Sequence, residues 1–412
     1  MNFVFTSYLY PLTFLMNYAF ILGKHPKLSL LEIASVFKSK GINFELKEFE
    51  KEFAVFEIEK EIEPQSFLNQ LGGIIRIVDI EEIKLDNLSS QVAQAINQTI
   101  KTNSKFSFGV SAFGLKITNK DLVEIKKRLR KLNKKCRFVP YRKSDGVLSS
   151  VQVTKNNLLK EGLEIVLLQG KKSYLGKTIA VQDFESYSQR DYGRPKRNPK
   201  AGMLPPKVAQ IMINLGRGLA KNDSPILLDP FCGIGTILQE ATLLGLKSTG
   251  SDKEQTQVNA AKENLTWLQK NFSLEKTPKV IQSPLQELSH HLDENSIDLI
   301  ITEPYLGPLQ EKPLPEKLAQ NIISQLAPLY LKSFEAFKKL LKKEGIVVIV
   351  FPVFRLENGK EMGLDLLDEL KKIGYTPIEP SKRFFNTEGK KLIYSRPNQI
   401  VKRQIMILQV KP

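Results

Sequence analysis

The sequence predicts an α/β protein: a mostly parallel sheet with an antiparallel last strand, preceded by smaller α+β units. Three observations carry this. From Met203 onward, strand-like and helix-like segments alternate regularly. Several of those strands are aliphatic without alternation, as in IVVIVF at 346–351; such a strand is covered on both faces, as in a parallel sheet between helix layers. Before Met203 the order is irregular, with pattern-alternating strands such as FSFGVSAF at 106–113. At 412 residues the chain has room for two to four domains. A composition of 42% hydrophobic and 25% charged residues excludes a largely disordered or fibrous chain.

The elements follow in order. The first 23 residues carry no charge, but Pro11 and several polar residues interrupt them and no positive segment opens them. This argues against a membrane anchor or signal peptide. The expectation is that Met16 is the true start, with residues 1–15 an over-extended reading frame, and that 17–22 forms a buried first strand. Ser29 and Glu32 have the spacing of a capping box, predicting a helix from there to about 40. Strands are expected at 53–58 and 74–80, with a helix at 66–71 between them. A second unit, 85–182, should hold strands at 105–113, 137–140, 150–153, 164–169 and 173–181. Its helices are expected at 121–135 and 155–161. The segment 183–202, DFESYSQRDYGRPKRNPKAG, is rich in Pro, Gly and Arg and reads as loop. Strands of the C-terminal half are expected at 226–229, 248–252, 279–282, 298–302 and 345–351, with 404–410 as the antiparallel last one.

The net charge of +17 is concentrated: residues 101–200 hold 24 basic and 8 acidic side chains. Such a block points to a polyanionic partner. Within it, Lys126, Lys127, Arg130 and Lys134 lie on the polar side of one predicted helix, and Arg190, Arg194, Lys196, Arg197 and Lys200 cluster in the basic linker. All nine are candidate contacts to a nucleic-acid backbone, which position the nucleic acid without reading its sequence. Two cysteines, Cys136 and Cys232, make no disulfide framework and suit a reducing cytoplasm. Three histidines, His25, His290 and His291, have no metal-ligand spacing, so no metal is expected.

The chemistry concentrates in LLDPFCGIGT at 227–236. A strand ends in Asp229, then a tight loop with Gly233 and Gly235 turns into a helix. Such a loop lets a ligand approach backbone at a strand's carboxyl end. Neither GxGxxG nor GK[ST] is present, so the loop suits a nucleoside-like ligand lacking phosphates. Asp252 ends the next strand, 23 positions on, where an acid can hold ribose hydroxyls. The third strand ends at Ser283. The fourth runs into Thr302-Glu303-Pro304-Tyr305-Leu306-Gly307.

The combination DPFCGIGT and GSD resembles the class I, Rossmann-like, S-adenosylmethionine-dependent methyltransferases, and more narrowly those that methylate exocyclic amines. In that subgroup the fourth strand ends in (Asp/Asn)-Pro-Pro-(Tyr/Phe), which TEPYLG resembles with a departure. Counted from Asp298, Glu303 stands at the acid's place; shifted by one, Thr302 does. Glu303 is the favoured acceptor. It would grip the N–H bonds of an amine together with the Pro304 carbonyl, while Tyr305 stacks on the base. The resemblance implies that Met203, Leu204, Pro205, Asp229, Phe231, Gly233, Gly235, Thr236, Asp252, Lys253 and Ser283 bind S-adenosylmethionine. Amine methylation needs no thiol nucleophile, so Cys232 reads as a packing residue.

Across the chain after Met16, YAFILGKHPKLSLLEI, the GG of LGGIIRI, and RDYGRPKRNPKAGMLPPKVAQIMINL resemble the tRNA guanosine-N2-methyltransferase family, whose archaeal and eukaryotic members act on guanosine 10. The resemblance implies a ferredoxin-like domain at 16–84, a THUMP RNA-binding domain at 85–182, the basic linker at 183–202 and the methyltransferase domain at 203–412. The implied partner is tRNA, in the cytoplasm and away from membranes; the chain is expected to be a monomer unless it acts with a small activator subunit, as some eukaryotic relatives do. Two alternatives stay open: another tRNA position, ribosomal RNA or a DNA adenine as target; or a non-catalytic RNA-binding protein with a degenerate methyltransferase domain.

Overall fold

A computed structural model of the chain describes residues 15–101, 104–143, 145–197, 202–389 and 391–411. The expectation about residues 1–15 therefore falls almost wholly outside the described residues, as does Lys200 of the linker cluster. By its contacts the chain divides into two compact units. Of the described residues, one unit takes those up to 21 and those within 41–67 and 76–181; the other takes those within 22–40 and 68–75 and those from 182 on.

The first unit is built on an eight-stranded sheet. Its strands are β1 (Met16–Leu22), β2 (Phe44–Phe49), β3 (Phe53–Ile58), β4 (Ile74–Ile83), β5 (Phe106–Phe113), β6 (Cys136–Phe138), β7 (Leu163–Gln169) and β8 (Ser173–Val181). They are ordered β2-β3-β1-β4-β8-β7-β5-β6, so one sheet runs through the segments 16–84 and 85–182. Helices α2 (Pro64–Asn69), α3 (Leu88–Thr99), α4 (Asn119–Lys131) and α5 (Ser150–Lys155) accompany it. Leu122, Ile125 and Leu129 of α4 are fully buried at helical spacing, leaving the lysine-rich side to solvent. A buried polar cluster ties the sheet together: Glu164 on β7 pairs with Arg76 on β4 and accepts from Ser111 on β5 and Thr178 on β8.

Residues 150–153 are helix, not the expected strand. The β-branched pair in SVQV favours a strand, but Ser149 and Gln152 form a reciprocal capping box that nucleates α5. The expected helix at 155–161 is instead mostly turn after α5.

The second unit carries α1 (Pro26–Ser39), α6 (Phe184–Ser188), α7 (Pro206–Leu219), α8 (Thr236–Leu243), α9 (Gln255–Phe272), α10 (Glu316–Leu340), α11 (Leu367–Ile373) and α12 (Pro380–Phe385). Its strands are β9 (Leu227–Asp229), β10 (Ser248–Asp252), β11 (Lys279–Gln282), β12 (Ile297–Thr302), β13 (Leu341–Arg355), β14 (Glu361–Gly363), β15 (Tyr375–Pro377), β16 (Leu392–Tyr394) and β17 (Val401–Val410). The main path is β11-β10-β9-β12-β13-β17-β15, parallel through β13 and antiparallel at β17. This is the expected sheet, including its reversed last long strand.

The uninterrupted aliphatic strands now have their reason. Ile300, Val347 and Ile349 face a core with Phe334 and Phe337 of α10. Their neighbours Leu299, Ile301, Ile346 and Val348 face another core, with Ala209 and Met212 of α7 and Leu28 and Leu31 of α1. Alternate side chains thus enter two different helix layers.

Two local expectations are corrected here. Helix α1 starts at Pro26, ahead of Ser29 and Glu32, which act over long range instead. The Ser29 hydroxyl donates to the Gly73 carbonyl at 2.7 Å. The Glu32 carboxylate, fully buried, accepts from the Gly72 and Gly73 amides and from Asn214 Nδ2, each at 2.8 Å. The segment 183–202 is not all loop either. Asp183 accepts from the Ser186 amide to start α6, and a single π turn follows at Gln189–Gly193. Composition hid this because the stabilising contacts are tertiary: Tyr187 is buried and hydrogen-bonds to Gln210 and to the Leu71 carbonyl.

Candidate active site

The sheet order reverses between β9 and β12, and open α/β sheets bind ligands at the carboxyl ends beside such a switch point. Asp229 ends β9 and Thr302 ends β12, side by side. The Thr302 hydroxyl donates to Asp229 Oδ1 at 2.7 Å. Asp229 Oδ2 has no protein partner among the described residues, and the residue lines a cleft of about 150 Å3. Burial pushes the Asp229 carboxyl up to about 7, against the pull of the Thr302 hydroxyl and the Phe231 amide.

The glycine loop is shaped for a ligand. Gly235 caps α8 at φ 84° and Gly233 sits at φ 49°, both in the left-handed region. A side chain at Gly235 would press on Ala261 of α9. At Gly233 and Gly202, which line the small cleft, a Cβ would meet nothing within 4 Å, so backbone is bare to open space. Asp252 holds the loop: its Oδ2 accepts from the Gly233 amide and its Oδ1 from the Glu254 amide, each at 3.0 Å. Each oxygen keeps a further lone pair for a ligand hydroxyl.

A larger cleft of about 850 Å3 is lined by Asp252, Lys253, Ser283, Glu303, Pro304 and Tyr305, among others. Gly202, Phe231 and Glu303 line both clefts. Thr302 is fully buried and committed to Asp229, so of the two residues competing for the acid's place only Glu303 reaches the clefts. Tyr305 is 59% exposed, its ring free to meet a planar ligand.

Glu303 does not stand alone. Arg403 on β17, only 4% exposed, grips it with two hydrogen bonds, Nε to Oε2 at 2.5 Å and Nη2 to Oε1 at 3.0 Å. Its Nη2 also donates to the Gly202 carbonyl. Sequence reasoning missed Arg403. Its signal was an inward-facing charge at the head of the aliphatic run QIMILQV.

Other expected residues fall in different places. Met203, Leu204 and Thr236 line the small cleft, whereas Pro205 lines a third cleft, beside α7. Ser283 is buried and spends its hydroxyl hydrogen on the Pro284 carbonyl, leaving only lone pairs for a ligand. Cys232 is buried, and burial with the neighbouring Asp229 raises its thiol well above the usual range, in keeping with packing.

The linker cations divide. Arg190 is buried, paired with Glu240 at 2.7 Å and stacked 4.3 Å from the Tyr187 ring centre. Arg194 is buried on the Thr236 hydroxyl at 2.8 Å. Neither faces solvent, so their expected role as phosphate contacts is corrected: their charges hold the segment against α8. Lys196 and Arg197 are exposed. Asn264 of α9 bonds the Lys196 backbone at both N–H and carbonyl and reaches the Ile234 carbonyl, linking this segment to the glycine loop. In the first unit, Lys127 and Arg130 of α4 are exposed. Lys126 lies over the Phe138 ring, and Lys134 donates to the Ile100 carbonyl at 2.6 Å.

Residues 194–353 match the UPF0020 model, an RMKL-like methyltransferase domain. The match takes in the glycine loop, both acid-ended strands and the β12 terminus. Over 296 residues the chain is 26% identical to a tRNA (guanine(10)-N2)-dimethyltransferase of Methanothermobacter thermautotrophicus, covering 69% of this chain and 76% of that one. The enzyme of the same description from Pyrococcus abyssi is 28% identical over 236 residues, 57% of this chain and 61% of that one. Among solved structures, TrmN from Thermus thermophilus superposes with a TM-score of 0.52 at 13% identity, covering 96% of this chain and all of that one. That likeness is one of fold. The C-terminal half therefore has the class I methyltransferase fold, with the sheet order given above. Among the described residues, no group of acidic, His and Cys side chains is arranged to hold a metal, and no helix is long and apolar enough to cross a membrane.

Proposed function

We propose that this protein is a cytoplasmic tRNA methyltransferase that transfers methyl from S-adenosylmethionine to the N2 amine of a guanosine, at position 10. The observation that carries the reading is Glu303, on the wall common to two clefts at the switch point. One cleft is floored by the bare glycine loop and the other is wide enough for a splayed base. The residues fit the cofactor: Asp229 Oδ2 is a hydrogen-bond acceptor without a protein partner among the described residues, Asp252 keeps lone pairs, and Gly202 and Gly233 leave space at the backbone. When bound, S-adenosylmethionine supplies an electrophilic sulfonium methyl group. Met203, Leu204, Phe231 and Thr236 would enclose it, with Lys253 and Ser283 at the nucleoside end.

The chain's own contribution is orientation. A guanine amine is a weak nucleophile because its lone pair is delocalised into the ring. Arg403 fixes the Glu303 carboxylate in one geometry and leaves a lone pair on each oxygen. Those lone pairs, with the Pro304 carbonyl, accept the amine N–H bonds and turn the nitrogen toward the methyl group. Good orientation of this kind is worth on the order of 7–11 kcal/mol. Tyr305 stacks on the base, and the proton that the amine releases passes to water in the open cleft. The segment 85–182 serves as a THUMP-type RNA platform, with Lys127 and Arg130 on its exposed helix face.

Titration calorimetry with S-adenosylmethionine and positional mapping of methylated guanosine in tRNA test the proposal. Cofactor binding and an N2-methylguanosine at position 10 are expected. Absent cofactor binding would favour a non-catalytic RNA-binding protein, and methylation elsewhere would move the target. A further expectation concerns the linker: Lys196→Ala with Arg197→Ala should weaken tRNA binding and lower its log–log salt slope by about 0.7 for each single-strand phosphate no longer neutralised. An unchanged slope would place the RNA away from this segment.

A further inference from the structure

We infer that a third cleft in the second unit is a subsite for one flanking nucleotide of the RNA substrate; this rests on the RNA-methylation reading. The cleft holds about 570 Å3 and is walled by the turn before α1, the Gly72–Gly73 turn, the π turn, the start of α7 and the residues after β16. Apart from Pro205, no residue given a functional role above lines it.

Its chemistry is that of a single-stranded nucleotide site: one exposed and two half-buried rings for a base, and cations without a carboxylate partner for a phosphate. Tyr192 is 62% exposed, and the Arg197 guanidinium stacks 5.0 Å from its ring centre. His25 and Tyr394 also line it, with their rings 4.6 Å apart, and Arg396 Nε donates to the Tyr394 hydroxyl at 3.4 Å. Lys24 and Arg396 are exposed at the rim, and among the described residues neither has a carboxylate within 4 Å. Three cations, Lys24, Lys207 and Arg396, face one carboxylate, Asp191. Lys207 is taken up internally, over the Tyr187 ring and bonded to Gln182, so the ligand-facing set is Lys24, His25, Tyr192, Tyr394 and Arg396. An exposed tyrosine already stacked on a guanidinium is a preformed platform, because a base can add to the same stack. The neighbouring basic segment at Lys196 and Arg197 leads an RNA chain from here toward the glycine loop, to which Asn264 ties it.

The test compares wild type with Lys24→Glu/Arg396→Glu, Tyr192→Ala and Tyr192→Phe. Anisotropy with tRNA, calorimetry with S-adenosylmethionine and titration with guanosine 5′-monophosphate are the readouts. The double variant is expected to weaken tRNA binding at least tenfold and to lower the salt slope by about 1.4, the value for two phosphates. Tyr192→Ala should weaken tRNA about tenfold and Tyr192→Phe should restore it, since stacking needs the ring and not the hydroxyl. Cofactor affinity should be unchanged throughout. Wild-type affinity for tRNA in all three variants overturns the subsite while leaving the methyltransferase reading intact. Mononucleotide binding with tRNA affinity untouched by the variants overturns it too, by making the cleft a free-nucleotide site. If wild type binds no tRNA at all, the RNA reading fails and the subsite with it. Should the double variant not fold, the Tyr192 pair decides alone.

Discussion

Glu303→Ala is expected to slow methyl transfer on the order of 10²–10³-fold, the usual effect of removing one group aimed at charge developing in a transition state. The same change also leaves the Arg403 guanidinium buried without its partner. An uncompensated buried charge costs about 3–5 kcal/mol, so the single variant should unfold at markedly lower denaturant. The two effects separate in the double variant Glu303→Gln/Arg403→Met. With both charges gone and the volume kept, stability should recover to within about 1–2 kcal/mol of wild type. Turnover should stay low. Recovery of turnover together with stability would make the pair a structural clamp and remove Glu303 from the chemistry. Calorimetry on each variant reads the cofactor site separately: Asp229 and the Gly233–Gly235 loop are unchanged, while Arg403→Met frees the Gly202 carbonyl.

Glu32→Ala should produce a large loss of stability outside the catalytic clefts. Three donors lose their acceptor at once: the amides of Gly72 and Gly73 and the Asn214 side chain. At about 1–3 kcal/mol for each unsatisfied group, with one amide only half-buried, the cost is on the order of 3 kcal/mol or more. The site also sets a pH dependence. Burial outweighs the three donors and lifts the Glu32 carboxyl from 4.5 to about 7. The folded state therefore holds a proton that the unfolded state has already lost above about pH 4.5. This contribution is full at low pH and disappears as pH rises through about 7. Asp229, also lifted to about 7, acts in the same sense. Urea unfolding midpoints should be higher at pH 5 than at pH 8, after allowance for other carboxylates. Glu32→Gln should flatten that difference; an identical pH profile in the Gln variant would show that Glu32 does not titrate in this range.

The boundary between what was legible in the chain and what was not follows the range of the forces involved. Strands 248–252 and 279–282 stand where their pattern placed them, and the antiparallel tail 404–410 lies within β17. Burial on both faces leaves a local imprint of unbroken aliphatic residues, and Asp229-Pro230 with the two glycines imprints the loop directly. Charges were the poorer guide. Arg190 and Arg194 look like their exposed neighbours Lys196 and Arg197 in the sequence, because nothing near them in the chain discloses Glu240 or Thr236. Ser29 and Glu32 mimic a cap because a hydroxyl and a carboxylate three apart serve either a local amide or a distant one. Arg403 meets Glu303 across 100 positions. Periodicity and steric need thus write the sheet, the ligand loop and the class of chemistry into the chain itself. Which charges are spent inside and which remain for a ligand is settled only on folding, because the desolvation that forces a buried charge to find a partner does not exist before then.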